Sequence, residues 1–177
     1  GSEMCIRDSI ELDSGCSGDV AGPAAQTLVD SGVVAVVGAA CSGASMSANA
    51  VLAAAGIPMI SYASTNPGLS DEAKYPHFYR NVPSDAIQGP AGAAMMADAG
   101  VTNESLAILH MTNDYGSGLA DSIKAAWEED GKLCSAGMQG YEETTTNFDA
   151  MVANVTDASD CNACLLYTSD AADERSW

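Results

Sequence analysis

Basic residues are scarce in this chain: six Lys plus Arg stand against 24 Asp plus Glu, a formal net charge of −18 at pH 7. A surface of that sign repels nucleic acid and anionic membranes, so the acidity reads as a solubility feature and no nucleic-acid partner is expected. Long apolar runs are missing as well, and no stretch approaches the roughly 18 residues that a membrane span needs. Enzyme signatures are also lacking. The serine of the loop near residue 42 reads Ala40-Cys41-Ser42-Gly43-Ala44, which is no G-x-S-x-G elbow, and neither G-x-G-x-x-G nor a P-loop lysine occurs. The only imidazoles are His77, after a proline in a loop, and His110, near the end of an apolar run. With no acid or nucleophile beside either, both read as structural. No enzyme activity, no cofactor and no metal site are expected.

The two ends stand apart from the rest. Met4 to Ser9 can be encoded by ATG TGT ATA AGA GAC AGN, and Cys164 to Ser169 by TGT CTC TTA TAC ACA TCT. The second is the reverse complement of the first over most of its length, and this inverted repeat resembles the mosaic end of a transposase-based sequencing adapter. Residues 1–9 and 164–177 are therefore expected to be non-native, with Ile10 to Ala163 as the natural stretch. Cys16, Cys41, Cys134 and Cys161 remain within it. They show no C-x-x-C spacing and no nearby His to complete a zinc site, so disulfides or buried free thiols are the two readings. Disulfides would place the protein outside the cytoplasm.

Along the chain, Ala24, Ala25, Leu28 and Val29 recur at helical spacing and Gly32 supplies a stop, which predicts an amphipathic helix from about Ala21. A β-branched run without alternation, Val33 to Val37, predicts a strand of a parallel sheet covered on both faces. A small-residue loop, Gly38 to Gly43, an alanine-rich helix, Ser45 to Ala55, and a strand, Ile57 to Ser61, complete a β-loop-α-β unit. After a break with Pro67, Pro76 and Pro83 the grammar restarts. Asp85-Ala86-Ile87-Gln88 has the form of a capping box, with Pro90 in the first turn of a helix to about Ala99. A strand follows at Leu106 to Met111, then a polar loop, Thr112 to Gly116, and a helix with core face Leu119, Ile123 and Trp127. A strand over Lys132 to Gln139 and a helix around Phe148 to Val155 close the series. The alternation predicts an α/β protein of doubly wound parallel sheets. Two runs joined near Arg80 to Pro83 suggest two lobes and a hinge, residues 10–82 and 83–163.

Ligands of open parallel sheets bind outside the carboxyl ends of the strands, so the informative loops are Gly38 to Ser45, Tyr62 to Pro67 and Thr112 to Gly116. The first carries Cys41, Ser42 and Ser45 at the start of a helix, where backbone N–H groups and a hydroxyl can hold a carboxylate. The second offers Ser64 and Thr65, and the third Tyr115. Plainer roles stand beside these: Ser45 as a helix cap, Thr65 and Asn66 as turn formers, Tyr115 as a packed ring.

The runs Val36-Val37-Gly38-Ala39-Ala40-Cys41-Ser42-Gly43 and Pro58-Met59-Ile60-Ser61-Tyr62-Ala63-Ser64-Thr65-Asn66-Pro67, with Arg80, Gln88-Gly89-Pro90 and Asp114-Tyr115-Gly116-Ser117-Gly118-Leu119, resemble the type I periplasmic binding proteins that serve branched-chain amino acid ABC transporters. The resemblance covers nearly all of Ile10 to Ala163. It implies that Ser42, Ala63 and Thr65 bind the α-carboxylate and α-ammonium of a small ligand, an aliphatic amino acid, with Ser64 in the same loop. Tyr115 would close over it from the second lobe. It also implies a Cys16–Cys41 disulfide, a secreted or lipid-anchored location, and a membrane permease as partner. The family's acidic partner for the ammonium lies beyond Ala163, and relatives with a similar first lobe bind amides, urea or aromatic acids. A sensor or receptor domain of the same fold is the alternative role. Hinge closure is the implied mechanism.

Overall fold

The computed structural model describes residues 9–129 and 131–167. Helix α1 (Gly18–Asp30) opens on Ser17, whose hydroxyl accepts the amide of Asp19 at 3.3 Å, and the chain turns out of it through Gly32 at φ 74°. Strand β1 (Val36–Val37) leads to α2 (Ser42–Ala54), then β2 (Met59–Ser61), a 3-10 turn (Pro67–Ser70) and β3 (Phe78–Arg80). These strands form a parallel sheet in the order β1-β2-β3. Alanines 21, 25, 44 and 48 line the α1–α2 contact and let the two helices approach closely over Leu52 and Met59.

Register decides which face is buried. Val36, Met59 and Phe78 lie side by side toward α1 and α2, whereas the neighbouring row, Val37, Ile60 and Tyr79, is 79%, 41% and 58% exposed. The expectation of a sheet covered on both faces is thus corrected among the described residues: helices cover one face only. The strand expected over Val33 to Val37 shortens to its last two residues, and Val34 is 87% exposed. Helix α2 starts at Ser42, three residues before the expected start, so Ser45 is no cap but a buried residue of the first turns.

The second half is better covered. Helix α3 (Asp85–Asp98), β4 (Leu106–Met111), α4 (Asp114–Trp127), β5 (Leu133–Tyr141), α5 (Asp149–Asp157) and β6 (Ala163–Tyr167) build a parallel sheet in the order β5-β4-β6. All six residues of β4 are buried. Leu106 and Ile108 meet Ala93 of α3 and Leu119, Ala120, Ile123 and Trp127 of α4. Each large aliphatic side chain buried there contributes about 1.5–3 kcal/mol. Gly89 makes the α3–α4 crossing possible, because a Cβ on it would lie 2.5 Å from the Ser122 Cβ and 2.6 Å from the Ser122 carbonyl carbon.

Three sequence expectations change here. Ser84, not Asp85, caps α3, accepting the Ala86 amide at 3.2 Å, so the capping box is out of register by one. Pro90 lies inside α3, beyond its first turn. Strand β6 runs into the segment read as adapter-like: Cys164, Leu165 and Leu166 pair with Ala107, Ile108 and Leu109, and Leu165 packs on the second core. The rest of that segment, residues 168–177, and residues 1–8 fall outside the described residues. Disulfides join Cys16 to Cys41 and Cys134 to Cys161, each with Cα atoms 5.2 Å apart, well within bridging range.

Candidate functional site

Two loops at the carboxyl ends of β1 and β2 are stitched together by serine hydroxyls. Ser61 donates to the Ala39 carbonyl at 2.5 Å and accepts the amides of Ser64 at 2.9 Å and Ala63 at 3.3 Å. Ser64 donates to the Ala40 carbonyl at 2.9 Å and pairs with the Ser45 hydroxyl at 2.8 Å. Ser64 is fully buried, so its hydroxyl is committed to this framework. Beside the framework lie Ser42, in the first turn of α2 and itself only 1% exposed, and Thr65, half-buried. The α2 amino terminus has Cys41 as its cap residue, with no side-chain hydrogen bond, and the Cys16 disulfide holds it to the segment that enters α1.

Ser42 and Thr65 differ in what their hydroxyls have left to offer. The Ser42 oxygen accepts the Asn66 amide at 3.2 Å, which leaves its hydrogen to be donated. Thr65 donates its hydrogen to Asp85 at 2.9 Å, which leaves its oxygen to accept. Ala63 lies exposed between them in sequence.

Behind Thr65 stands a charged pair that sequence reasoning did not assign to the site. Asp85 is fully buried at the start of α3, and its Oδ1 has no hydrogen-bond partner. Burial pushes its pKa up, opposed by the Thr65 bond and by the positive charge of Arg80. Burial in turn lowers the pKa of Arg80, opposed by Asp85. Arg80, at the end of β3, donates to the carbonyls of Asn66 at 2.9 Å and Ser64 at 3.4 Å, and to the Ser70 hydroxyl. Both ends of the four-residue crossover between the sheets therefore grip the Ser64 to Asn66 loop. The available signal was the placement of a cation and an anion at the two ends of a short proline-containing connection.

From the second half, Asn113 caps α4 by accepting the Gly116 amide at 2.7 Å. Tyr115 follows in the first turn, with its ring packed partly against the second core. Asp114 reaches across to the first half, its Oδ2 against Gly43. The structure thus gathers Ser42, Ala63 and Thr65 around one sheet end, brings the start of α4 up to it, and turns the Ser64 hydroxyl away. Among the described residues no group of three or more His, Cys, Asp or Glu could hold a metal ion, and no helix is long and apolar enough to cross a membrane. His110 is buried, with Nδ1 2.9 Å from the Met111 carbonyl.

The family model described as "Receptor family ligand binding region" matches residues 6–168. The leucine-specific-binding protein of Salmonella typhimurium is 30% identical over 146 residues, which are 82% of this chain and 39% of that protein. The leucine-, isoleucine-, valine-, threonine-, and alanine-binding protein of Pseudomonas aeruginosa is 26% identical over 148 residues, 84% of this chain and 39% of that protein. Metabotropic glutamate receptor 4 of Mus musculus is 30% identical over 140 residues, 78% of this chain and 15% of the receptor. The chain thus spans well under half the length of these relatives. With two parallel sheets, loops gathered at one sheet end and a family match over nearly its whole length, the chain belongs to the receptor-family ligand-binding region, the type I periplasmic-binding-protein family.

Proposed function

We propose that this chain is part of an extracytoplasmic binding protein for a small amino acid, held between a first lobe (residues 10–82) and a second (residues 83–163) that close about the 81–84 connection. The observation that carries the reading is the opposite polarity of Ser42 and Thr65. A donor at the amino terminus of α2 suits a carboxylate, because unsatisfied helix N–H groups and the helix dipole favour negative charge there. An acceptor backed by the Asp85 carboxyl suits an ammonium. An α-amino acid carries both groups on one carbon. The Ala63 backbone supplies further contacts, and Tyr115 closes from the second lobe. The two disulfides agree with an oxidising compartment.

Leucine is the first ligand to try, since it is named for the Salmonella relative. Closed, ligand-bound lobes would be the form presented to the permease of an ABC transporter. A second reading, the ligand-binding domain of a receptor, is favoured by the likeness to metabotropic glutamate receptor 4. Calorimetric titration of the chain with leucine, glutamate, acetamide and urea tests the class. Binding of an amino acid that Ser42→Ala and Thr65→Ala each weaken is the expected result. Amide or urea binding alone, or amino-acid binding indifferent to both substitutions, would overturn it.

A further inference from the structure

Asn66 uses every hydrogen-bonding group it owns in five bonds, one of them the Leu69 amide on its carbonyl at 3.2 Å, which closes the 3-10 turn. Its amide donates to Ser42 Oγ at 3.2 Å and its carbonyl accepts from Arg80 at 2.9 Å. Its side-chain Oδ1 accepts the Gly68 amide at 2.7 Å, capping the 3-10 turn. With Oδ1 so engaged, the orientation of the amide is set, and Nδ2 donates to the backbone carbonyl of Asp114, the residue before Tyr115. That last bond crosses from the first sheet unit to the second.

The approach depends on Gly118. A Cβ there would stand 2.5 Å from Asn66 Nδ2 and 3.2 Å from Pro67 Cδ. Beside the crossing a cavity of about 490 Å³ is lined by Asn66, Pro67, Asp114, Gly118 and Asp121 among others, so the bond stands at the rim of open space rather than within a packed core.

We infer that Asn66 is a positioning residue that couples the first-lobe head-group site to lobe closure. Through its main chain it holds Ser42, and through its side chain it holds the turn that carries Tyr115. Occupancy of Ser42 and engagement of α4 therefore bias the same residue; a bond to Asp114 made only with the lobes together supplies the differential contact that a closing equilibrium requires. The ligand arm of this inference rests on the proposed amino-acid site; the closure arm does not.

Asn66→Asp is the discriminating variant. Its carboxylate still caps Gly68 but cannot donate to the Asp114 carbonyl and repels it. Gly118→Ala attacks the same contact from the other side and leaves Asn66 intact, which keeps the test available should Asn66→Asp fail to fold. Small-angle scattering of the ligand-free chain should show a larger radius of gyration for both variants, with α-helical content unchanged. Leucine affinity should fall about tenfold, the loss of one hydrogen bond's worth of closure. A radius of gyration equal to the parent's in both variants would sink the clasp. If the parent itself binds no amino acid, the proposed function fails while the scattering comparison still decides the clasp.

Discussion

The hydroxyl of Thr65 donates to the carboxylate of Asp85 at 2.9 Å while the amide of Asp85 donates back to the carbonyl of Thr65, also at 2.9 Å. Two reciprocal bonds therefore tie the loop after β2 to the first turn of α3, across the connection between the two sheets. A movement of either sheet unit about that connection is felt at Thr65.

Asp85 makes folding stability depend on pH in a stated direction. Its carboxyl is held above the ordinary aspartate value, about 3.9, chiefly by burial. The folded chain keeps that proton to higher pH than the unfolded chain does. Stability from this group is therefore full below the ordinary value and is lost as pH rises through the raised folded value. Asp85→Asn should flatten that part of the profile, read from urea melts at a series of pH values just above the ordinary carboxylate range. An unchanged slope would assign the dependence to other acids.

Ser42 and Thr65 should separate by ligand charge. Ser42→Ala is expected to weaken leucine by about 1.5–3 kcal/mol, roughly ten- to a hundredfold, and to weaken 4-methylpentanoate, which lacks the amino group, in parallel. Thr65→Val should weaken leucine similarly but spare 4-methylpentanoate. Calorimetry with both compounds reads the split; equal losses on both would show that the two hydroxyls do not divide the head group.

Gly89→Ala should destabilise the second half by about 1–3 kcal/mol. The added Cβ meets the backbone at Ser122 and Ile123, the latter at 2.9 Å from its nitrogen, and neither can rotate away. The thermal midpoint should fall, whereas Gly22→Ala, in open space on α1, should leave it nearly unchanged.

Leu165 and Leu166 test whether strand β6 contributes to the stability of the second half. Leu165 packs on the second core from β6, but Leu166 is 53% exposed. Leu165→Asp should cost about 2 kcal/mol or more, because a carboxylate would displace apolar contact. Leu166→Asp should be close to neutral. Equal melts for both would mark the strand as a passenger.

Peptide mapping without reductant should recover Cys16 linked to Cys41 and Cys134 linked to Cys161. Cys16→Ser should lower stability by about 2–4 kcal/mol and loosen the start of α2, which amide exchange at Gly43 to Ser45 would register. Free thiols at Cys16 and Cys41 would remove the bridge from the site's framework.

Much of the fold is legible in the residues themselves. The helical spacing of Leu119, Ile123 and Trp127 and the apolar run Leu106 to Met111 define α4 and β4, because a wholly buried strand and an amphipathic helix leave strong local patterns. Ser42, Thr65 and Tyr115 stand out as polar residues in loops after strands, and the family is recognisable from the same loops. The errors lie where local signals are weak. Strand β3 hides among prolines at Phe78 to Arg80, and the cap of α3 slips by one because Ser84 and Asp85 are both good capping residues.

Chain order and patterning thus determined the α/β alternation, the two parallel sheets and the loops that carry the candidate site. Only the tertiary structure decided that Ser64 is buried in a serine framework, that the equally buried Ser42 and the half-buried Thr65 are left with opposite polarity, that Asp85 and Arg80 stand behind the loop, and that Asn66 crosses to Asp114. Hydrogen-bond direction and burial depend on partners 14 to 48 residues away, and no local pattern encodes which of several neighbouring hydroxyls will find them.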